Sequence, residues 1–332
     1  MKRIHWLLLL LLIAGAALVI YQQNTAPYQH DEGKIFGTYY SITYQNDKNL
    51  HEEILQALNK VDASLSTFNE NSTVSRLNKG ADIEVDGLFE YLFPRAQKVS
   101  EVTNGAFDIT VAPLVNAWGF GFKEDKWPTQ QTIDSIKTFV GYKKLRLKGR
   151  RIIKDDPRVM IDLSAIAKGY GSDIVAQVLD KAKVRNYMVE IGGEIVTKGK
   201  NAKGEKWRIG VEKPTDSKED QKQFQCILQL SDCAMATSGN YRNFYYKGGV
   251  KYAHTINPVS GYTVQQDIIS ATIVAPHCYE ADAYATSCMV MGLEKAKKML
   301  AKEKHLDAYF IYIRNGEQKI WMTEGFDKYL LK

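Results

Sequence analysis

Asp282 and Thr286 stand four residues apart inside the apolar stretch "YEADAYATSCMVMG", which runs from Tyr279 to Gly292. In a helix that spacing puts a carboxylate and a hydroxyl on one face, one turn apart. A hard cation such as Mg2+ takes oxygen ligands and binds through one or two carboxylates plus substrate phosphates, so the pair suits a metal-assisted site. It also suits ordinary helix chemistry, with Asp282 as a cap and Thr286 bonding back to a carbonyl. The spacing leaves both readings open.

Other segments carry groups of similar promise. In "RVMIDLSAIAKGYGSD", Asp162 ends an apolar run, Ser164 is placed to cap a helix, and Lys168 follows one to two turns in. A helix N-terminus with a lysine is phosphate-binding chemistry, and equally a plain strand-to-helix turn with a solvated lysine. In "YAHTINPVSGYTV", His254 precedes an Asn-Pro turn, where it serves as a general base, a phosphate contact or a structural histidine. "TNGAFDITVAPLVNAWGFG" offers Gly105 and Asp108, with Trp118 and Phe120 (and Phe122 just beyond) either walling a flat ligand or filling a core. "MATSGNYRNFYY" places Arg242 near a tight turn at Gly239, where it is able to meet a phosphate.

The elements that must hold these groups follow from periodicity. A strand is expected over Ile35–Tyr44, and a helix from Leu50 to about Phe68, because Leu50, Ile54, Leu58, Val61 and Leu65 recur at helical spacing. Further helices are expected over Leu88–Thr103, with Pro94 a kink and Gly105 a stop, and over Gln130–Val140. "RVMIDLS" reads as a strand, "AIAKGYGSDIVAQVLDKAK" as a helix, and "NYMVEIGGEIVTKG" as a strand broken at glycine. Four β-like stretches lead to a helix over about Glu280–Lys304 and a closing hairpin turned on Asn315-Gly316. Strict βαβ alternation is missing, which predicts an α+β class; the sequence shows no internal repeat, and no linker interrupts it after about Gly33, which predicts one compact unit.

Composition sets the outer bounds. The chain has 332 residues, 45% hydrophobic and 25% charged, with net charge +6, and its basic runs are broken by apolar residues, which argues against nucleic acid as a partner. "MKRIHWLLLLLLIAGAALVIYQQN" has Lys2 and Arg3 before an apolar run. That pattern predicts a short cytoplasmic stretch at 1–5, a membrane anchor at 6–22, a linker at 23–33 and a catalytic unit at 34–332. A cleaved signal peptide is the second reading of the same run. The four cysteines form no CxxC pair, so a zinc site is disfavoured and disulfides stay open.

Taken together and in order, "GTYYSITY", "LSTFNENSTVSRLN", "NGAFDITVAPLVNAWGFG", "IDLSAIAKGYGSDIVAQVL", "VEIGGEIVTKG", "MATSGNYRNFY", "YAHTINPVSGY" and "SATIVAPHCYEADAYATSCMVMG" resemble the ApbE family of FAD:protein FMN transferases. The resemblance covers nearly everything from about Lys34 onward. It implies an ApbE-like mixed α/β catalytic domain behind the anchor. It also implies Mg2+-dependent transfer of FMN from FAD, the substrate, to a threonine or serine of an acceptor flavoprotein, with release of AMP. Matched residue by residue, it places metal ligands at Asp282, Thr286 and the main-chain oxygen of Ala165. FAD contacts fall at Phe36, Phe68, Ala106, Phe107, Asp108, Asp162, Lys168 and Ile256, and the catalytic histidine at His254. Many family members attach through an N-terminal cysteine, which this chain lacks. Attachment is therefore expected through a single-pass helix, with the catalytic domain on the extracytoplasmic, periplasmic side. Two alternatives share these residues: a Mg2+-dependent FAD pyrophosphatase yielding FMN and AMP, and a non-catalytic flavin-binding surface protein.

Overall fold

The computed structural model describes residues 5–6, 8–15, 25–120, 127–215, 223–240, 244–247 and 250–331, with backbone alone at 244–247 and 250–251. The strands are β1 (Tyr28–Ile35), β2 (Thr38–Gln45), β3 (Leu145–Lys148), β4 (Arg151–Lys154), β5 (Tyr187–Ile191), β6 (Glu194–Lys198) and β7 (Trp207–Glu212). They continue with β8 (Phe224–Leu230), β9 (Cys233–Gly239), β10 (Phe244–Lys247), β11 (Val250–Ala253), β12 (Ile268–Ala275), β13 (Asp307–Arg314) and β14 (Glu317–Met322).

Eight strands form one sheet in the order β1-β2-β5-β6-β9-β12-β13-β14, antiparallel throughout. Side chains alternate across a pleated strand, so each central strand feeds two cores. Along β12 and β13, Ala271, Ile273, Ala308 and Phe310 pack towards the helices, while Val274, Tyr309 and Ile311 face the β7–β8 hairpin and Phe326. Burial on both faces explains why "IISATIVA" reads as a continuous apolar run.

Three helices cover the first face. Helix His51–Leu65 buries Ile54, Leu58, Val61 and Leu65, as its periodicity predicts. Helix Ser164–Lys181 lies between it and helix Cys278–Met291, which is buried on almost every side. A helix with so little contact with water must satisfy every polar side chain inside the protein.

Several expectations change. The linker at 23–33 includes most of β1, an edge strand whose polar sequence hides its pairing with β2. The strand expected from Ile35 is interrupted at Phe36 and Gly37, both at positive φ (52° and 72°), the two-residue turn that matches strand twist. "RVMIDLS" is no strand. Val159, Ile161 and Leu163 are buried alternately, but the Ile161 backbone is held by the Asn78 carboxamide at 2.7 and 2.8 Å. The long helix over Glu280–Lys304 divides into Cys278–Met291 and Leu293–Leu300. Gly292 lies at φ 73°, and a Cβ there would stand 2.7 Å from Gln266 Oε1.

At the N-terminus, residues 5, 6 and 8–15 are helical, with Trp6 and 8–13 exposed, and residues 7 and 16–22 of the expected anchor lie outside the described residues. No described helix is long and apolar enough to cross a membrane. All four cysteines are free thiols.

Candidate active site

Asp282 and Thr286 do not serve helix Cys278–Met291 itself. Its first turn is capped from the neighbouring helix: Asp173 accepts from the amides of Cys278 and Tyr279, both at 2.9 Å. Back-bonding within the helix falls to Ser287, which donates to the Ala283 carbonyl at 2.7 Å. Asp282 and Thr286 instead project outward, Asp282 towards helix Ser164–Lys181 and Thr286 towards Ser238 of β9, whose Oγ lies 3.1 Å from Thr286 Oγ1. The capping and back-bonding roles that spacing left open thus belong to other residues.

Asp282 is 2% exposed, and its Oδ2 accepts from the Gly169 amide at 3.0 Å. That approach depends on Gly169 lacking a side chain, because a Cβ would stand 2.3 Å from the Cys278 carbonyl oxygen. Helical geometry pairs the Gly169 amide with the carbonyl of Ala165. A carbonyl has two lone pairs, so Ala165 keeps acceptor capacity even where it shares that amide with Asp282.

Lys168 is not a solvated lysine. Its Nζ lies 2.9 Å from Glu194 Oε1 and 3.6 Å from Asp282 Oδ1. Burial works against its charge, but Asp282 and Glu194 outweigh that and raise its pKa, so it stays an ammonium. Burial raises the pKa of both carboxylates against the pull of Lys168, and Asp282 raises Glu194 further. All three shifts run upward, because burial disfavours the carboxylate charges while those same carboxylates favour the ammonium: with one ammonium facing two buried carboxylates, the cluster needs a proton or a further cation to balance its charge. Glu194 Oε2 has no hydrogen-bond partner. A divalent cation would supply the missing charge, and the oxygens of Asp282, Thr286 and Ala165 are donors such an ion accepts. Among the described residues no group of three or more His, Cys, Asp or Glu side chains is placed to hold a metal, here or elsewhere, so a cation at this cluster would depend on hydroxyl and main-chain oxygens as well.

The remaining candidates surround this centre unequally. Phe36, held at φ 52°, lies against helix Ser164–Lys181 where a Cβ on Gly171 would stand 2.7 Å from its ring. Asp162 accepts from the Ser164 amide and hydroxyl at 2.9 and 2.6 Å, so Asp162 rather than Ser164 tethers the helix start. The Asp162 amide donates to Ile109 at 2.7 Å, which ties in the Ala106-Phe107-Asp108 run. Asp108 is spent on structure: it accepts from Thr110 and from the Tyr142 amide at 2.8 Å, and burial raises its pKa against those bonds. Ala106 and Phe107 are buried, whereas Phe68 is 71% exposed in the loop after helix His51–Leu65.

His254 sits beyond β11, its ring edge-on to Phe120 at 6.5 Å between centroids. The next residue, Thr255, donates to Asn240 Oδ1 at 2.8 Å, one residue past β9, the strand whose Ser238 meets Thr286. This connection brings the His254 loop to the Asp282–Thr286 turn. Ile256 is buried against Leu114 and Trp118, and the Trp118 indole donates to the Gly261 carbonyl at 2.8 Å. The aromatic residues therefore build the wall that carries His254, which is the core reading of that segment. Phe122 and Arg242 lie outside the described residues.

Sequence reasoning passed over Glu194, Ser238, Gly169 and Asp173. Glu194 had a signal: a carboxylate opening a strand whose next three residues are buried needs a buried partner. Ser238, Gly169 and Asp173 had none, since each acts through a residue distant in sequence.

The profile of the ApbE family matches residues 36–310. A FAD:protein FMN transferase of Vibrio cholerae serotype O1 is 36% identical, covering 99% of each chain. One from Haemophilus influenzae is 38% identical, over 84% of this chain and 85% of its own. The structure of the flavin transferase ApbE from Vibrio cholerae matches with a TM-score of 0.84 at 35% identity, over 92% of this chain and 100% of that one. The Pseudomonas stutzeri flavinyl transferase ApbE in its apo form matches at 0.82 with 29% identity, over 91% and 96%.

Proposed function

We infer that this chain, which belongs to the ApbE family, is a transferase that moves FMN from FAD to a target protein. The observation that carries this to its own residues is the oxygen-rich, cation-deficient cluster of Asp282, Glu194 and Lys168 beside Thr286. We assign Asp282, Thr286 and the Ala165 carbonyl as Mg2+ ligands. A bound Mg2+ would draw charge from the pyrophosphate oxygens and make AMP a better leaving group.

The chain's own groups do the rest. The acceptor is a threonine or serine whose hydroxyl oxygen bonds to the phosphorus of the FMN half, while the bond from that phosphorus to AMP breaks. His254 takes the hydroxyl proton, a role within reach of a neutral imidazole near physiological pH. Lys168, held by Glu194, keeps a positive charge beside Asp282 and limits where an anionic phosphate can settle. Phe36, Phe68, Ala106, Phe107, Asp162 and Ile256 are assigned to FAD, and Asp108 positions the turn that holds that run. Membrane attachment through residues 6–22, with catalysis on the extracytoplasmic side, completes the proposal. It rests on Lys2 and Arg3 preceding the apolar run.

The test is mass spectrometry of an acceptor incubated with the full chain, FAD and Mg2+. FMN joined to one threonine or serine, with an equal yield of AMP, is the expected result. Accumulation of FMN and AMP with no labelled protein points to a pyrophosphatase, and bound but unreacted FAD to a binder.

A further inference from the structure

A groove of about 430 Å3 opens between helix Leu293–Leu300 and two turns, 102–106 and 257–259. Its walls come from the segments that carry the candidate site. Ala106 belongs to the run assigned to FAD, Asn257 follows Ile256 on the His254 loop, and Val290 is one helical turn beyond Thr286. The floor is apolar, with Val102, Ala106, Val290 and Met299, and Val259 at the rim is 61% exposed. Lys295 and Lys298, three apart on the helix, and Lys302 in the turn just after it form one side, all exposed. Among the described residues none of these three has an ion-pair partner, whereas Lys297 on the same helix pairs with Glu294. The one lining carboxylate, Glu303, lies 3.7 Å from the His305 ring.

We propose that this groove docks the segment of the acceptor protein that flanks its modified hydroxyl, and that the segment carries acidic side chains beside apolar ones. The inference rests on the transferase reading, because only a transferase must hold a protein beside FAD. An apolar floor takes apolar side chains, and three unpaired ammoniums on one wall select carboxylates and repel basic segments. Continuity with the loops of Ala106 and Ile256 puts such a segment within reach of the hydroxyl's target. FAD binding does not need these lysines, which stand outside the Asp282 cluster.

The probes are threonine-containing peptides identical except that Asp and Glu in one set are Asn and Gln in the other. The full chain is supplied with FAD and Mg2+, and FMN incorporation is read by mass. The acidic set should be labelled with a kcat/KM at least about tenfold higher, an advantage that shrinks with added salt. A variant with Lys295→Glu, Lys298→Glu and Lys302→Glu should lose that preference while its FAD affinity stays unchanged. Labelling independent of charge, or a preference that survives the triple variant, overturns the inference and leaves the transferase reading intact. A triple variant that binds FAD more weakly overturns it as well, because the groove then belongs to the nucleotide. If no peptide is labelled and FMN and AMP still accumulate, the transferase reading itself fails and takes the inference with it.

Discussion

Replacing Gly169 with alanine puts the geometry of the site to its sharpest test. An added Cβ would lie 2.3 Å from the Cys278 carbonyl oxygen, 2.7 Å from its carbon and 2.9 Å from Asp282 Cβ. Two of those neighbours are backbone atoms, so neither can swing aside. Ordinary contact needs about 3.5 Å, so the two helices must part by roughly 1 Å. The Gly169 amide now meets Asp282 Oδ2 at 3.0 Å, and the same displacement takes that bond beyond useful length. Alanine gains about 1 kcal/mol in helix propensity. Against this stand about 1–3 kcal/mol of overpacking and about 1.5–3 kcal/mol for a lost bond to a charged group. The loss wins, by on the order of 2–4 kcal/mol. Metal affinity should fall about 10–100-fold, the usual effect of removing a partner that orients a ligand. Urea unfolding measures the first quantity and Mg2+ titration calorimetry in the presence of FAD the second. Gly87→Ala is the control: nothing lies within 4 Å of its Cβ, and it begins helix Gly87–Val102. It should be neutral or stabilise by up to about 1 kcal/mol. If Gly169→Ala unfolds and binds Mg2+ like the parent, Gly169 does not set the approach of the two helices and the argument fails.

Three further outcomes follow from the same structure. Asp282→Asn removes one of two carboxylates facing a single ammonium, so stability in a chelator should hold or rise while Mg2+ affinity drops at least about 100-fold; paired melting curves with EDTA and with Mg2+ check this, and equal destabilisation in both contradicts a ligand role. Burial raises Asp173 to about 7 despite its bonds to the amides of Cys278 and Tyr279. The folded state therefore keeps a proton that the unfolded chain releases near pH 4, so stability should decline between about pH 4 and 7, by up to about 4 kcal/mol, and stay low above that window. Asp173→Asn should flatten this slope in urea midpoints taken across the range, and an unchanged slope would assign the pH dependence elsewhere. His254→Gln should slow FMN transfer by about 100- to 10,000-fold and leave the FAD dissociation constant, read by flavin fluorescence, within about twofold.

How much of this was legible in the sequence depends on where each bonding partner lies. Helix His51–Leu65 and the Asn315-Gly316 hairpin were legible, because periodicity and turn residues are local, whereas the single strand expected over "NYMVEIGGEIVTKG" is two strands paired antiparallel about Gly192-Gly193. β1 was not, since an edge strand is held by backbone pairing to β2 and "QHDEGK" shows no apolar alternation. The "RVMIDLS" segment shows the alternation of a strand, but its partner is the Asn78 side chain, 83 residues away. The cluster divides in the same way. Asp282 and Thr286 stood out as polar groups in apolar surroundings, Lys168 as a charge near a helix start, and the family resemblance gave them roles. The partners that define their electrostatics, Glu194 and the Gly169 amide, emerged only with the fold.

The contrast between the hydroxyls of helix Cys278–Met291 shows why spacing alone could not decide the question. Ser287 and Thr286 are neighbours with similar chemistry, yet Ser287 is satisfied by its own helix at 2.7 Å and Thr286 by the end of β9. Their side chains point about 100° apart around the axis, which follows from 3.6 residues per turn. Asp282 shares the Thr286 face, so the direction that takes Thr286 out of the helix takes the carboxylate out too. Capping by Asp173 then removes any demand on Asp282 from the helix start. What remains is a carboxylate whose bonds all run to the opposing helix, in a cluster where one ammonium serves two carboxylates. A buried group arranged that way weakens the fold unless something binds it, and binding is therefore the most economical reason for its presence.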